Sequence, residues 1–283
     1  MKNFTLLALF LTIYTNILAN DVIFAPFYGS STYKNATKDK ATNYGFYFKN
    51  GNFKSVIEYQ DVKYSPDNND SNITNPSNFT QTNLSLAYKF NIAKNTDLLT
   101  SLQYINSSNK NYDGLYSVLL GIKKKFNNFS LGLNYSYSDY SNTTIKTVQQ
   151  ATPYIGFRFG DYKSLMGTYY IKIMNNFIMP DAKVQSISSD YSTFGISLTQ
   201  NKGDFQNFVQ YWSGDSIFAI RDNGLSIQNF EEIYEKALSI SSKYSFSSTT
   251  SVQLSYIEKD FSDYSSSSTS TLTNTILFLY FKF

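Results

Sequence analysis

The sequence predicts an all-β fold, a transmembrane antiparallel up-and-down β-barrel of about fourteen strands, rather than twelve or sixteen. Three observations carry this. Apolar and polar residues alternate with period two through segments of about 8 to 13 residues, which is strand spacing and not helix spacing. Short and long connections take turns along the chain, as they do when every second turn faces the same side of a membrane. The 283 residues include 25 Tyr and 24 Phe, with one Trp, no Cys and no His. That composition, at a mean hydropathy of -0.31, is what lipid-facing and lumen-facing residues average to when they alternate. It excludes a helical membrane protein, because no stretch after residue 19 approaches the roughly 20 apolar residues a spanning helix needs.

The amino terminus is the first element. Met1-Lys2-Asn3 carries a positive charge, Phe4 to Leu18 is mostly apolar, and Ile17-Leu18-Ala19 offers a cleavage point before Asn20. Residues 1–19 therefore read as a secretory signal peptide, with export to the periplasm. As an uncleaved anchor, about 15 residues interrupted by Thr12, Thr15 and Asn16 would be too short and too polar. No Cys follows, which excludes a lipoprotein anchor. Removing 1–19 takes Lys2 and no acid, leaving 23 basic against 21 acidic residues, a net of +2. So small a balance implies no nucleic-acid partner.

Residues 20–283 then form one barrel domain. The segment 21–28 is short, contains Pro26 and shows no preferred face. Gly51-Asn52 separates 42–50 from 53–64, and the Asn91 to Asn95 turn separates 79–90 from 96–105. Asn127-Asn128 separates 114–126 from 129–140. There Phe129, Leu131, Leu133, Tyr135 and Tyr137 take one face and Ser130, Gly132, Asn134, Ser136 and Ser138 the other. Gly160-Asp161 divides 148–159 from 162–174, Asn201 to Asp204 divides 191–200 from 205–212, and Ser247-Ser248 divides 237–246 from 249–261. Strand 270–283 closes the chain, and the even count returns both termini to the periplasmic side. The longer, Ser- and Asn-rich connections fall near 29–41, 65–78, 106–113, 141–147, 175–190, 213–236 and 262–269.

Two long connections stand apart. In 213–236, Ser216 to Ile220 and Leu225 to Phe230 flank Arg221-Asp222-Asn223-Gly224, a hairpin signal. Its arms are shorter than the 9 to 11 residues of a membrane strand, roughly, so the hairpin is expected outside the membrane. From Asn229 to Leu238 the apolar spacing suits a short helix capped by Asn229, or equally an extended strand. In 175–190, Phe177, Ile178, Met179 and Pro180 are unusually apolar and read either as a constriction packed over the lumen or as a contact with lipid headgroups or a neighbouring loop.

The closing strand, Thr275 to Phe283, presents Leu277, Leu279, Phe281 and Phe283 on one face and ends on an aromatic. This resembles the assembly signal of bacterial outer-membrane β-barrel proteins, porin-like in size. The resemblance implies a Gram-negative outer membrane, with outer-membrane lipid and the barrel-assembly machinery as partners. Asp70-Ser71-Asn72-Ile73-Thr74 resembles the acidic sequon of bacterial N-glycosylation, which would make Asn72 a glycosylation site.

A basic residue recurs between aromatics beside the short turns. By parity Lys49, Lys89, Lys125, Arg158, Lys243 and Lys282 point inward and, with Lys54 and Lys123, form a basic ring around the periplasmic mouth. It reads either as a solvated rim or as a charge ring that favours anions. Glu58 is the clear inward acid. Glu231, Glu232 and Glu235 form an acid cluster. It is either an exposed face or a constriction loop folded against the basic wall, resembling the eyelet of general porins. Without His or Cys the usual proton shuttle and nucleophile are missing, so no enzyme and no cofactor is expected. The chain reads as a porin passing small hydrophilic solutes, monomeric or homotrimeric. Lumen-facing Tyr47, Tyr154, Tyr170, Phe208, Trp212, Phe278 and Tyr280 raise a rival, a carrier of hydrophobic or aromatic compounds. The barrels resembling long-chain fatty-acid transporters carry a plug before their first strand, and alternation here begins directly after Ala19. A surface adhesin or structural barrel is the third reading.

Overall fold

A computed structural model describes residues 22–65, 77–140, 145–182, 188–227, 232–263 and 269–283. Fourteen strands close a barrel in which each pairs antiparallel with its sequence neighbours. They are β1 (Val22–Lys34), β2 (Lys38–Asn50), β3 (Phe53–Tyr64), β4 (Phe79–Ala93), β5 (Thr96–Ser107), β6 (Tyr116–Lys125) and β7 (Phe129–Asp139). The other seven are β8 (Ile145–Asp161), β9 (Gly167–Ala182), β10 (Tyr191–Lys202), β11 (Phe205–Ser216), β14 (Glu232–Ser245), β15 (Thr250–Asp263) and β16 (Ser270–Lys282). A two-stranded ladder, β12 (Ile220–Arg221) with β13 (Ser226–Ile227), stands apart from the wall.

Closure is made by the last strand against the first. β16 pairs with β1 in the register Phe24↔Phe281 and Phe27↔Phe278. Val22 and Phe283 exchange both backbone hydrogen bonds, at 3.3 and 2.9 Å. No wall edge is left for water or a neighbour, which a membrane barrel requires because lipid offers backbone groups no partner. Pro26 shows in the register: the β1–β16 ladder is interrupted between Phe24 and Phe27, where the proline lacks an N–H to donate.

The period-two faces hold around the barrel. On β7, Leu131, Leu133 and Tyr135 are outward and 44 to 46 % exposed, while Ser130, Ser136 and Ser138 are inward and buried. Leu277, Leu279, Phe281 and Phe283 point outward on β16. At the short-turn end, outward aromatics pair across the turns and between neighbouring strands. Phe126 stacks on Phe129 at 4.4 Å, Phe159 on Tyr169 at 5.2 Å, and Phe205 meets Tyr244 at 4.8 Å. Such pairs contribute about 0.5–1.5 kcal/mol each beyond area burial, and their position is that of an interfacial aromatic girdle.

Several expectations change. The first strand runs to Lys34 and has a clear inner face of Ala25, Phe27, Gly29 and Ser31. The 29–41 connection shrinks to three residues because its Ser- and Thr-rich flanks go on pairing, and pairing needs only backbone groups. The β8–β9 turn is longer than Gly160-Asp161. Asp161 accepts from the Lys163 and Ser164 amides and Ser164 from the Gly167 amide, which leaves Leu165 at 85 % exposure in a loop. Residues 175–182 continue β9, with Phe177 and Met179 outward and Ile178 buried inward, so this part is wall and not a cover. The helix alternative for 229–238 gives way from Glu232 onward to β14, whose ladder to β11 and β15 satisfies the same backbone groups. Residues 1–21, where the signal peptide is expected, and Asn72 lie outside the described residues.

Candidate functional site

The interior is filled from one point. Between β11 and β14, residues 217–227 turn into the lumen instead of leaving the membrane. This corrects the outside placement of the Asn223-Gly224 hairpin. Asp222, Asn223 and Gly224 all take left-handed backbone, at φ 54, 57 and 84°, which Asn, Asp and Gly tolerate best. Gly224 is set against the β5 wall so closely that a Cβ there would lie 1.7 Å from the Ser101 Oγ. Any other residue would push the tip off the wall.

Polar groups of the wall hold the hairpin by its backbone. Gln150 on β8 acts as a surrogate peptide: its Nε2 donates to the Ile220 carbonyl at 2.9 Å and its Oε1 accepts from the Ile220 amide at 2.9 Å. Asn176 and Thr152 complete the network around Gln150. Four strands around the wall, on β4, the Ser85 hydroxyl donates to the Leu225 carbonyl at 3.3 Å. The hairpin is thus held inside the lumen by both β8 and β4.

The two ends of the lumen differ in chemistry. At the long-connection end, Ile217, Phe218 and Ala219 are fully buried against inward Val62, Phe79, Ile105, Tyr140, Val148 and Ile178. Phe218 meets the Tyr140 ring at 4.2 Å. This apolar cluster packs across the lumen at the long-connection end. Beneath it Arg221 lies over the Trp212 ring at 4.3 Å and donates to the Ser216 hydroxyl at 3.3 Å.

At the short-turn end the lumen opens into a cavity of about 430 Å³ lined by Lys49, Lys54, Lys89, Lys123, Lys125 and Lys172, with Asp97 and Asp222 as its carboxylates. Lys49 and Lys54 are direct cross-strand partners on the inner face, a like-charge pairing that destabilises a sheet unless something anionic relieves it. Asp97 neutralises Lys125 at 2.6 Å. The other five lysines make no salt bridge among the described residues. Lys172 and Lys123 rest over the Tyr154 and Tyr170 rings, at 4.3 and 5.3 Å. These rings lie flat because they fill space left by Gly132 and Gly156 on the adjoining strand.

Of the expected ring, Lys49, Lys54, Lys89, Lys123 and Lys125 converge in this cavity. Lys243 stands beside it, 3.9 Å from the Tyr280 ring centroid. Arg158 is exposed at the rim, and Lys282 sits at the end of β16 opposite Ile23. Glu58 is inward and accepts from Asn43 and Asn83 at 2.7 and 3.2 Å. Lys172 was readable by parity with Tyr170, whereas Asp222 and Gln150 had no local signal.

Of the acid cluster, read either as an exposed face or as a constriction loop, Glu232 fits neither reading. Glu232 lies in β14, paired with Lys38 and accepting from the Tyr234 hydroxyl at 2.6 Å, with both charged side chains nearly excluded from solvent. Glu235 sits at the β14 bulge, and Glu231 is outside the described residues. The preceding hairpin is the element that narrows the lumen. The lumen-facing aromatics fall where parity set them. Phe27, Tyr47, Phe278 and Tyr280 line a second, mainly apolar cavity of about 320 Å³ that also touches Asp222 and Leu225.

A closed antiparallel barrel with an apolar outer belt, an aromatic girdle and a polar interior is an outer-membrane β-barrel, and that is the class this fold defines. Among solved structures, the toluene transporter TbuX of Ralstonia pickettii is similar at a TM-score of 0.53, with 10% identity over 93% of this chain and 90% of that one. The P. putida toluene transporter TodX is similar at 0.52, with 7% identity over 93% and 90% of the two chains. A bacterial polysaccharide outer membrane secretin is similar at 0.51, with 10% identity over 92% and 98%. At these identities the likeness is one of fold. No family model matches the sequence, and no curated protein matches it.

Proposed function

We propose that this barrel is a gated outer-membrane channel for small hydrophilic solutes with a preference for anions, and that the hairpin 217–227 is its gate. The observation that carries the reading is the cavity at the short-turn end, where six lysines face two carboxylates. Such a vestibule concentrates anions and depletes cations in the mouth. The apolar seal around Phe218 closes the opposite end, so passage requires the hairpin to leave its seat. The signal peptide at 1–19 and the terminal Phe283 strand would supply export and assembly. Planar-bilayer recording in a salt gradient tests this: intermittent openings with an anion-selective reversal potential are expected, and a cation-selective potential would overturn the reading.

A second reading, carriage of apolar compounds, draws on the aromatic cavity formed by Phe27, Tyr47, Phe278 and Tyr280. Uptake of a neutral aromatic solute by liposomes bearing the barrel, without ion conductance, would favour it.

A further inference from the structure

The basic and apolar cavities share a boundary, and the inference rests on it. Asp222 and Leu225 at the hairpin tip line both. On β2, Tyr47 lines the apolar cavity and Lys49 the basic one; on β3, Val56 and Lys54 do the same. Each pair is two residues apart on one face, so along both strands the wall changes from cationic to apolar within about 7 Å. Beside them, over β16, β1 and β2, the apolar wall is a run of rings. Phe27 contacts Phe278 at 5.0 Å, Phe278 stacks on Tyr280 at 5.8 Å, and Tyr47 meets Tyr280 edge-on at 6.3 Å. Lys243, over the Tyr280 ring, places a further cation beside the same boundary.

We infer that these two cavities form one binding site for an amphipathic organic monoanion, a carboxylate carrying an aromatic or short aliphatic body. Its head lies against Lys49 and Lys54, and its body lies in the Tyr47, Val56, Phe278 and Tyr280 wall. The inference rests on the anion-attracting reading of the vestibule and goes further, because a pore that merely prefers anions needs no apolar wall beside its lysines. Each cavity falls within the roughly 300–1,000 Å³ usual for small-molecule sites. Glu58, at the far side of the apolar cavity and held by Asn43 and Asn83, sets a negative charge opposite the lysine end. A ligand anionic at both ends is thereby disfavoured, and the head is oriented toward the lysines.

The hairpin tip already imitates such a ligand. Asp222 brings a carboxylate into the cavity that Lys54 and Lys172 line, and Leu225 brings an aliphatic group to the same junction. A bound carboxylate competes with Asp222 for the lysines and so weakens the inner hold on the hairpin.

The probe is 1-naphthoate, titrated by fluorescence into the full barrel in lipid nanodiscs, with empty nanodiscs subtracted. Saturable binding is expected, at least tenfold tighter than for neutral 1-naphthalenemethanol and for citrate. Lys49→Gln with Lys54→Gln should weaken it tenfold or more, Lys49→Arg with Lys54→Arg should preserve it, and Asp222→Asn should tighten it several-fold. Heat-dependent gel migration verifies that each variant is a folded barrel. Naphthoate binding no tighter than the alcohol, or unchanged in the folded glutamine variant, overturns the inference. So does weaker binding in Asp222→Asn. Anion-selective current without saturable naphthoate binding overturns the inference and leaves the channel reading standing; cation-selective current overturns both.

Discussion

Replacing Phe218 with alanine should unseat the hairpin while leaving the barrel intact. Phe218 is fully buried at the outer seal, its ring 4.2 Å from that of Tyr140 and its carbonyl accepting from the Tyr140 hydroxyl at 3.5 Å. Its backbone is left-handed at φ 49°, and alanine keeps the Cβ that makes this conformation costly, so the substitution isolates the ring. Truncating a buried phenylalanine costs about 3–5 kcal/mol when the site cannot collapse. The ring is buried only while the hairpin is seated, so the cost falls on the seated state alone. At about 1.4 kcal/mol per factor of ten, a loss of about 3 kcal/mol shifts the balance toward the unseated state roughly a hundredfold. In single-channel recording this appears as a much higher open probability at the same polarity of selectivity. The barrel ladders are untouched, so resistance to heat on a gel should not change. A folded Phe218→Ala barrel with the same conductance and gating as the parent would refute the hairpin as the closing element.

Three further outcomes follow from the same geometry. Gln150→Leu leaves the buried Ile220 amide and carbonyl without their two partners, at about 1–3 kcal/mol for each orphaned group, and should raise open probability in the same recording. Lys54→Gln with Lys89→Gln removes two of the six cavity lysines; the reversal potential in a salt gradient should move toward zero, and an unchanged value would relegate them to a solvated rim. Glu232→Gln removes the carboxylate charge that faces Lys38, whose side chain is only 6% exposed. Removing the charge of one partner from a buried ion pair costs up to about 3–5 kcal/mol, so the urea midpoint of the folded-to-unfolded gel transition should fall. Lys38→Met with Glu232→Leu should recover most of that loss.

The strand set was legible because its cause is local. Lipid outside and water or polar groups inside impose a two-residue period on every strand, and residues such as Leu131, Ser136 and Lys172 carry that period wherever the chain goes. The boundaries drifted where the cause was not local. The Ser-rich flanks of the 35–37 turn read as loop, yet they pair because a neighbouring strand is already in register. Pro26 hid the face of the first strand, although its missing donor is absorbed at one gap in the β1–β16 ladder.

The site divides in the same way. The inward direction of Lys49, Lys54, Lys89, Lys123 and Lys125 is a matter of parity, and so is the outward direction of Leu277, Leu279, Phe281 and Phe283. What the lumen contains is not. Ile217, Phe218 and Ala219 form an apolar run that is unremarkable in a loop, and Glu232 looks like part of an exposed acid cluster. Only closure of the barrel brings Gln150 to Ile220, seventy residues away in sequence, and Lys38 to Glu232, 194 residues away. The sequence by itself determined a barrel with an apolar outside and a basic inner mouth, because alternation is written residue by residue. The tertiary structure decided that the barrel is filled, sealed outside and amphipathic within, because those contacts exist only once fourteen strands have set their inner faces around one hairpin.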